Sequence, residues 1–400
     1  MPIRASAGTW VWRLVRAEAE GAAATARVLL ISSFVRPHPG GVEEFIDSSR
    51  ALLEERGLQT RVLACRLPGL DTSADAVIPT RFVGSSSWPL PIGGWRTLWR
   101  EVSAADAVVA NNARHLLPVV AVLLSRVRGR VAFLVVHGSG AGPYVGSRTS
   151  GLGRSFFEKT LGRLAMRVAR PVSVSQVGVE GIRRLYGVQA SYLPYPLREL
   201  PPVSSPPALE PDGPMHITWV GRLFPEKDPL LAVAAVEDLR RQREAVLHVW
   251  GDGPVRPELE QLAGPRPWLL VHGARSWEEV QARQAEGHAC LATSVADNVQ
   301  VTVLEALSRG IPTVSTQVGD APSYYVSSSI RHLCVPPGDP EATADALLDL
   351  ATLYDSYRSR FAANADILRS RHADAGDSLV RLLVEALPDT GSPERRSPVR

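Results

Sequence analysis

The 400-residue sequence has little that could stabilise a fold covalently or through a metal ion. Its three cysteines, Cys65, Cys290 and Cys334, lie far apart, and none belongs to a C-x-x-C pair or a Cys/His cluster. This pattern argues against a disulfide framework and a structural zinc site. Scattered thiols favour a reducing compartment, and we therefore predict a cytoplasmic protein.

Long apolar runs and a surplus of one charge are also absent. The longest apolar run, residues 116–124, contains Pro118 and is far shorter than the ~20 residues of a transmembrane helix. Charged residues between positions 13 and 20 occupy the place where a secretion signal needs an apolar core. A net charge of +3 gives no support to nucleic-acid binding, but it permits weak contact with anionic surfaces.

Short β-rich runs alternate with amphipathic helical runs in two stretches of the chain. The first stretch starts with a compact apolar strand at 27–33 and a helix at 43–57 that Gly57 closes. The second starts at residue 216, after a segment whose many prolines oppose helix and sheet interiors. The pattern predicts an α/β protein of two doubly wound, Rossmann-like domains that face an inter-domain cleft at the carboxyl ends of their strands.

These features divide the chain into six segments. In order they are an N-terminal extension (1–26), an N-terminal Rossmann-like domain (27–200), a Pro-rich linker (201–214), a C-terminal Rossmann-like domain (215–375), a C-terminal helix that could pack back on the N-terminal domain (376–387) and a disordered tail (388–400). The tail is predicted from its Pro, Ser and Arg content.

Two strand-to-helix turns in the second half carry glycines and charges. In the first, Gly221 ends a strand, and Arg222 and Lys227 follow in one short loop, where they could neutralise a diphosphate. A solvated loop with an ordinary Glu-Lys pair is the alternative. In the second, Gly251 belongs to a Trp-Gly-Asp-Gly-Pro turn that allows close backbone approach, and a turn built for packing alone is the alternative.

Residues 293–314 combine a strand end, a polar loop and a helix. Asp297 and Glu305 are eight residues apart and would not share a helix face, so Asp297 and Asn298 are predicted in the loop and Glu305 on the helix. Glu305 has mostly apolar neighbours, where a lone carboxylate is costly, and vicinal ligand hydroxyls would satisfy it. The N-terminus of this helix, at Val301, would favour an anion such as a phosphate.

Together these motifs resemble glycosyltransferase family 4, the retaining group with the two-domain GT-B fold. They occur in the family's order and spacing: Gly221-Arg222-Leu223…Glu226-Lys227, Gly251-Asp252-Gly253-Pro254 and Leu304-Glu305-Ala306…Gly310-Ile311-Pro312-Thr313-Val314. In the first half, Pro39-Gly40-Gly41-Val42-Glu43 resembles the family's glycine loop, and His137-Gly138 resembles its cleft histidine. The resemblance covers about residues 27–380.

The resemblance implies transfer of a sugar, with retention of configuration, from a nucleotide-diphosphate sugar to a hydroxyl acceptor on a glycan, a lipid-linked carrier or a small molecule. The donor would bind the C-terminal domain, and the acceptor the N-terminal domain. No cofactor and no metal are expected, because side-chain cations can neutralise the diphosphate and no Asp-x-Asp motif is present to hold a metal. Such an enzyme would serve polysaccharide or glycoconjugate biosynthesis.

The resemblance also implies roles for individual residues of the second half. Arg222 and Lys227 would bind the donor diphosphate and stabilise the leaving group. Asp297 would contact the donor sugar, and Glu305 would accept hydrogen bonds from the ribose hydroxyls. The same motifs place four further residues at the donor: Gly221, Gly251, Asn298 and Val301.

Three residues of the first half receive roles in the same way. Gly40 and Gly41 would bring backbone amides close to the phosphates and the acceptor. His137 would lie near the reacting sugar. A hydrogen-bonded structural histidine is the alternative interpretation, since histidines that end strands are often of this kind.

The sequence departs from the family pattern at three places. The first acidic position is Asp297 rather than Glu, which is one methylene longer, and Val299-Gln300 replaces the usual Phe-Gly. We interpret this Asp-Asn form as subtype variation. Tyr195-Pro196 stands where the family has Asn-Gly after the last strand of the N-terminal domain.

Two segments of the first half could contact an acceptor or a membrane. Residues 85–99 are rich in Gly, Pro and Trp and are predicted as a loop, whose tryptophans would either stack on a sugar or an interface or cap the core. A predicted helix carries regularly spaced cations: Arg154, Lys159, Arg163, Arg167 and Arg170. It could rest on an anionic membrane at the inner face, and a core helix with a solvated basic face is the alternative.

Two other classes of function remain open at this point. One is another GT-B activity, such as that of a sugar-nucleotide epimerase or a phosphorylase. The other is a non-catalytic sugar-nucleotide-binding partner of an active transferase, which the Asp297 departure keeps in play. A nicotinamide oxidoreductase is disfavoured, because no Gly-x-Gly-x-x-Gly follows a strand.

Overall fold

The computed structural model describes residues 26–38, 40–69, 71–83, 88–138, 157–196, 203–373 and 375–387. The chain forms two compact units, one made of residues 1–174, 179–196 and 374–400 and the other of residues 175–178 and 197–373. The predicted extension up to residue 25, the predicted tail at 388–400 and Pro39 of the glycine loop lie outside the described residues.

The first unit contains a seven-stranded parallel sheet. Its strands and an antiparallel hairpin (β4 and β5) follow in chain order: β1 (Arg27–Ser32), β2 (Gln59–Cys65), β3 (Ala76–Ile78), β4 (Thr80–Val83), β5 (Trp88–Pro91), β6 (Ala107–Asn111), β7 (Val131–Val136), β8 (Arg170–Ser173) and β9 (Ser191–Tyr192). The sheet order is β3-β2-β1-β6-β7-β8-β9. The order of strand addition therefore reverses between β1 and β6.

Because the strands of this sheet are buried on both faces, they form nearly continuous apolar runs in the sequence. Helices cover the two faces. They are α1 (Gly41–Glu55), α2 (Trp95–Ala104), α3 (Leu116–Val127), a π-helical turn (Glu158–Gly162) that leads into α4 (Arg163–Val168), and α5 (Gln176–Tyr186), whose first residues belong to the other unit. Helix α3 contacts both α2 and α4. One buried cluster joins these helices to the sheet, with Leu98, Leu117 and Met166 among its members.

The second unit contains a six-stranded parallel sheet. Its strands are β10 (Met215–Val220), β11 (Ala245–Trp250), β12 (Leu269–Gly273), β13 (Ala289–Ala292), β14 (Thr313–Thr316) and β15 (Cys334–Val335). The order β12-β11-β10-β13-β14-β15 is the 3-2-1-4-5-6 order of Rossmann-like domains. Strand addition reverses between β10 and β13, which pair in parallel from Ile217 opposite Ala289.

The helices of the second unit connect these strands. They are α6 (Pro229–Leu239), α7 (Arg256–Ala263), α8 (Trp277–Glu286), α9 (Val301–Ser308), α10 (Ala321–Tyr324), α11 (Pro340–Thr352) and α12 (Tyr354–Ala373), and the final helix, α13 (Ala375–Val384), belongs to the first unit. Three of these helices have N-terminal side-chain caps that the sequence supplies. Asp228 accepts from the Leu231 amide, Ser276 from the Glu279 amide and Asp339 from the Ala342 amide.

The predicted α/β architecture of two Rossmann-like, doubly wound domains is confirmed. The first helix runs from Gly41 to Glu55 rather than 43–57. Gly57 ends it as predicted, with a φ of 82° that favours glycine and with its N–H bonded to the Glu54 carbonyl at 2.9 Å.

The prediction that residues 85–99 form a loop is wrong for residues 88–91 and 95–99, although residues 92–94 form neither helix nor strand. Residues 88–91 form strand β5, and Trp95 begins helix α2 after Gly94, which has a φ of 75°. The helix forms because Leu98 and Val102, four residues apart, are both buried against the sheet. Trp95 and Trp99 therefore lie on a helix and not in a loop.

Residues 203–214 form neither helix nor strand, as their prolines predict. They form hydrogen bonds with other segments of the second unit. The Ser204 N–H donates to the Arg309 carbonyl at 2.7 Å, and the Ala208 carbonyl bonds to His288 Nε2 at 3.2 Å. At the other end of the chain, α13 contacts α1, where the Arg56 guanidinium pairs with Asp377 at 2.7 Å.

Candidate functional site

The loops after β10 and β13 flank the position where the strand order of the second sheet reverses. In open parallel sheets, a ligand binds in the crevice beyond the carboxyl ends of the strands at this position. The loop after β10 contains Gly221, Arg222 and Lys227, and the loop after β13 contains Asp297 and Asn298. The topology therefore brings together two sequence motifs that lie about 70 residues apart.

Lys227 and Asp297 form an ion pair across this position. The Lys227 ammonium contacts Asp297 Oδ2, and both side chains are largely buried, with 23% and 16% of their surfaces exposed. The second carboxylate oxygen of Asp297 accepts the Asn298 backbone N–H at 2.9 Å. One cation and one anion are thus fixed at the carboxyl edge of the sheet, with limited access to water.

Hydrogen bonds of Thr293 connect the two loops that carry this pair. Thr293 Oγ1 accepts from the Trp219 indole at 2.9 Å and is 2.6 Å from the Asp228 carbonyl, to which it donates. The Val295 N–H donates to the Glu226 carbonyl at 3.0 Å. These contacts place the Lys227 loop and the Asp297 loop at a fixed separation.

Arg222 extends from the same loop towards solvent. Its side chain is 48% exposed, lies over the Phe224 ring at 4.8 Å and reaches Glu226 Oε1 at 3.4 Å. An exposed pair of this kind contributes little stability, so the guanidinium can change partners at small cost. Of the two cations in this loop, Lys227 is therefore largely buried in its pair with Asp297, and Arg222 lies at the surface.

The glycines of the Gly-Asp-Gly turn have a packing role that the structure makes visible. A Cβ on Gly251 would overlap the Gly221 carbonyl oxygen, and the φ of Gly251 is 145°. The Leu223 N–H donates to the Asp252 carbonyl at 2.9 Å, which joins the two turns. The packing alternative therefore accounts for Gly251, and its predicted contact with a donor stays a prediction.

Asn298 is 3% exposed, and neither its amide oxygen nor its amide nitrogen has a hydrogen-bond partner among the described residues. Leaving such a group unpaired costs about 1–3 kcal/mol, so it marks a place where a further polar group would fit. The Val301 N–H, at the start of α9, is already bonded to the Val299 carbonyl at 2.9 Å.

Glu305 lies on α9 and is 8% exposed. Its partners come from α8: the Trp277 indole N–H donates to Oε1 at 3.0 Å, and the Gln281 amide donates to Oε2 at 3.1 Å. Gln281 in turn accepts from the buried Arg309 at 2.5 Å. The fold itself therefore supplies donors to this buried carboxylate, and the predicted contact of Glu305 with ligand hydroxyls stays a prediction.

The contributions of Trp277, Gln281 and Arg309 were not predicted from the sequence. Trp277 and Gln281 are four residues apart on one helix, which is the only local sign that they share a face. Burial lowers the pKa of Arg309, although the nearby Glu305 charge opposes this effect. Together these side chains fix the orientation of the Glu305 carboxylate.

In the first unit, His137 follows β7 and bonds to a buried asparagine. His137 Nε2 is 2.9 Å from Asn111 Oδ1, and Phe45 meets the imidazole edge-on at 4.8 Å between ring centroids. Burial lowers the pKa of His137 to about 3, so the imidazole is neutral at neutral pH. Asn111 also donates to the Ile31 carbonyl at 3.3 Å, which links the ends of β1, β6 and β7.

Gly40 and Gly41 lie at the start of α1, beside the same strand ends. Gly40 is exposed, and a Cβ at this position would collide with the Glu43 carboxylate. That carboxylate is 2.6 Å from His38 Nδ1. The Gly41 carbonyl accepts from the Tyr195 hydroxyl at 2.6 Å. Tyr195, one of the departures from the family pattern, therefore anchors the glycine loop.

The described residues contain neither a metal-binding cluster nor a membrane-spanning helix. No group of three or more His, Cys, Asp or Glu side chains there is arranged to hold a metal ion. None of the helices in that part of the chain combines the length and the apolar character needed to cross a bilayer.

Comparison with known proteins places these features in context. Residues 214–352 match the family model described as glycosyl transferases group 1, a range that contains every site residue of the second unit named above. The chain is 29% identical over 179 residues to the alpha-D-kanosaminyltransferase of Streptomyces kanamyceticus and 31% identical over 153 residues to the sulfoquinovosyl transferase SQD2 of Arabidopsis thaliana. These matches cover 42% and 38% of this chain but only 45% and 28% of the two relatives.

Solved structures are similar over almost the whole chain. The sucrose-phosphate synthase of Thermosynechococcus elongatus superposes with a TM-score of 0.69 at 18% identity, covering 90% of this chain and 100% of its own. Anabaena HepE in complex with UDP superposes with a TM-score of 0.64 at 15% identity and the same coverage. With two Rossmann-like units, the chain has the GT-B fold.

Proposed function

We propose that the protein is a retaining glycosyltransferase of family 4 that transfers a sugar from a nucleotide-diphosphate sugar to a hydroxyl acceptor. The observation that carries the proposal is the Lys227–Asp297 pair where the strand order reverses, followed by the oriented Glu305 carboxylate on the next helix. The match of residues 214–352 to a glycosyltransferase model supports it. So does the UDP bound by Anabaena HepE, which has the same fold.

In this proposal the cations of the β10 loop stabilise the leaving group. As the bond between sugar and diphosphate breaks, negative charge grows on the departing phosphate, and Arg222 and Lys227 stabilise it. Asp297 holds the Lys227 ammonium in place before the donor binds. It also contacts the donor sugar. The unpaired Asn298 amide gains partners when a polar ligand binds beside Asp297.

The Glu305 carboxylate selects the nucleoside. Its oxygens accept hydrogen bonds from the two ribose hydroxyls, while Trp277 and Gln281 keep the carboxylate in one orientation. A hydrogen bond to a charged acceptor is stronger than one between neutral groups, so this contact favours a ribonucleotide over a deoxyribonucleotide.

The first unit provides the acceptor side. The backbone around Gly40 and Gly41 lies at the carboxyl ends of the strands. His137 lies there too, as a neutral imidazole that can form a hydrogen bond with an acceptor hydroxyl. Retention follows from attack on the face that the diphosphate leaves, with the departing phosphate taking the hydroxyl proton. No carboxylate nucleophile and no metal ion are needed for such a step.

A binding panel followed by product analysis tests the proposal. Thermal denaturation is measured with UDP-, GDP-, ADP- and dTDP-sugars, because a ligand that binds only the folded state raises the melting temperature. The nucleotide sugar that binds is then incubated with and without a mixture of hydroxyl acceptors, and products are identified by mass spectrometry.

A transferase needs the acceptor to form a glycoside, whereas turnover of the donor alone would indicate an epimerase. We expect Lys227→Ala to abolish product formation and Glu258→Gln, a change at an exposed carboxylate on α7, to leave it unchanged. Binding without any product from any acceptor would overturn the transferase proposal in favour of a non-catalytic partner.

A further inference from the structure

Helix α3 of the first unit carries an apolar stripe that the described residues cover only in part. Leu116, Val120, Leu123 and Val127 lie at positions i, i+4, i+7 and i+11 and thus on one side of the helix. Leu116, Val120 and Leu123 are half-buried and also contact the core, and Val127 is 75% exposed. On the opposite side, Leu117 and Ala121 are fully buried. The stripe is therefore the outer face of a helix that lies against the sheet.

Helix α2, next to α3, adds two tryptophans to this face. Trp95 and Trp99 are four residues apart and are 45% and 46% exposed, although tryptophan is usually well buried. The Arg128 guanidinium, just after α3, lies 4.9 Å above the Trp99 ring and so connects the two helices at their outer surface. Both indoles are aromatic groups with one polar N–H.

Helix α4 extends the surface on the other side of α3, with which it is in contact. Leu161 and Leu164 are 40% and 48% exposed, and the cations Lys159, Arg163 and Arg167 lie exposed among them. We name the outer surfaces of α2, of α3 and of residues 159–168 the basic aromatic face. Of the cations predicted for this helix, Arg154 lies outside the described residues.

The charge of this face has one sign. Arg96, Arg100, Arg126 and Arg128 are exposed on or just after α2 and α3. Among the side chains of α2, α3 and α4 that the structure describes, the one carboxylate is Glu101, which is 7% exposed and accepts from Arg61 at 2.9 Å. Among the side chains of the basic aromatic face that the structure describes, the exposed charges are therefore all positive.

We propose that the basic aromatic face docks on an anionic lipid bilayer. Exposed apolar side chains enter the boundary between headgroups and acyl chains, tryptophans favour that interface, and each Arg or Lys near the surface gains from the negative surface potential. A second copy of the chain is a poor partner, because a symmetric contact would set these cations against each other. The proposal does not depend on which nucleotide the protein binds.

Vesicle flotation of the full chain tests this docking. Vesicles of phosphatidylcholine alone are compared with vesicles that also contain phosphatidylglycerol, at low and at high salt. We expect flotation with the anionic vesicles, little with the neutral ones, and a marked decrease at high salt, since screening weakens surface electrostatics.

Matched variants locate the contact on the molecule. Leu164→Ser and Trp99→Ser should reduce flotation several-fold, and Arg163→Gln should reduce it about fivefold, the effect of about 1 kcal/mol per cation near the surface. The controls are Leu353→Ser and Arg241→Gln in the second unit, where Leu353 is 47% exposed, almost the same as Leu164. Thermal denaturation confirms that each variant is folded.

Equal losses from the controls and from the face variants would overturn the proposal, as would equal flotation with neutral and anionic vesicles. A concentration-dependent dimer that Trp99→Ser abolishes, without flotation, would assign the face to a second copy of the chain instead.

Discussion

At the scale of single residues, Glu305 carries the most specific claim. Its carboxylate accepts from two donors on α8, and this arrangement fixes the orientation of the carboxylate. If Glu305 binds ribose, Trp277 acts on the nucleotide through Glu305, as a positioning residue.

Trp277→Phe should therefore weaken nucleotide binding in a way that depends on the ribose. The phenyl ring keeps most of the packing but cannot donate to Oε1, so the carboxylate loses one constraint. We expect the Kd for the preferred nucleoside diphosphate to rise about fivefold to tenfold, which corresponds to roughly 1 kcal/mol. Calorimetric titration measures it.

The same titration with the 2′,3′-dideoxy nucleotide separates positioning from general damage. We expect wild type and Trp277→Phe to bind this analogue equally weakly, since neither can use the Glu305 contact. A fivefold loss for both nucleotides would mean that Trp277 only supports the fold.

The sequence indicates the site residues of the second unit one at a time, but not their partners. Lys227 and Asp297 were predicted in two separate loops, and their pairing depends on β10 and β13 being neighbours in the sheet. The need of Glu305 for a partner was predicted correctly, but the partner was not, because Gln281 and Trp277 lie 24 and 28 residues away on another helix.

At the scale of elements, the turns after β10 and β11 depend on glycine for their contact. A methyl group on Gly251 would collide with the Gly221 carbonyl, a backbone atom that cannot rotate away. We expect Gly251→Ala to lower the free energy of unfolding by roughly 2 kcal/mol, as other strained-backbone substitutions do.

Gly264→Ala provides the matched control for this prediction. Gly264 has a φ of −49°, and the nearest atom to an added Cβ is the Gln261 carbonyl at 3.5 Å, an ordinary contact. It should leave stability unchanged or raise it by about 0.4–1 kcal/mol. Urea denaturation of both variants checks the pair, and equal effects would contradict the packing role of Gly251.

Three histidines form a row across β10, β11 and β12. His216 Nδ1 is 3.0 Å from His248 Nε2, and His248 Nδ1 is 3.1 Å from His272 Nε2. Neutral rings can satisfy this row by each donating to the next. Burial, followed by the neighbouring imidazoles, lowers the pKa of His248 to about 4, and burial also lowers that of His272.

This row predicts loss of stability in acid. Between about pH 6.5 and pH 4 the unfolded chain takes up protons that His248 and His272 do not take up in the folded protein, so the free energy of unfolding falls as the pH falls. His248 alone accounts for about 2 kcal/mol of this decrease, with an allowance for its partial exposure. His248→Gln should flatten the acid limb in urea denaturation at successive pH values, and an unchanged limb would contradict this account.

The longer elements were predictable and the shorter ones were not. Strands of six or seven residues leave a compact, mostly apolar run in the sequence, and helices that bury one face leave a clear period. Strands β3, β9 and β15 have two or three residues each, too few to show any alternation. The Trp-rich segment was assigned to a loop because its glycines and prolines are conspicuous, while the buried Leu98 and Val102 that define α2 are not.

At the scale of the whole molecule, the two units share one plan, a parallel sheet whose strand order reverses once. The charged residues proposed for the donor all lie in the second unit. This division predicts that binding of a nucleoside diphosphate depends on the second unit's side chains, whatever acceptor the first unit takes.

Transfer should proceed without a divalent metal, because Arg222 and Lys227 neutralise the diphosphate. We expect the rate of product formation to be the same, within about twofold, with and without excess EDTA. The product should keep the anomeric configuration of the donor sugar, which proton NMR reports from the coupling of the anomeric proton. Loss of activity in EDTA that magnesium or manganese restores would contradict the metal-independent mechanism.

The most direct test of the central claim is calorimetric titration of the preferred nucleoside diphosphate into wild type, Lys227→Ala, Glu305→Gln and the control Glu258→Gln. We predict that each of the first two substitutions raises Kd at least tenfold, a loss of about 1.4 kcal/mol, while the control binds like wild type. Unchanged affinity in both Lys227→Ala and Glu305→Gln would show that the nucleotide binds elsewhere on the molecule.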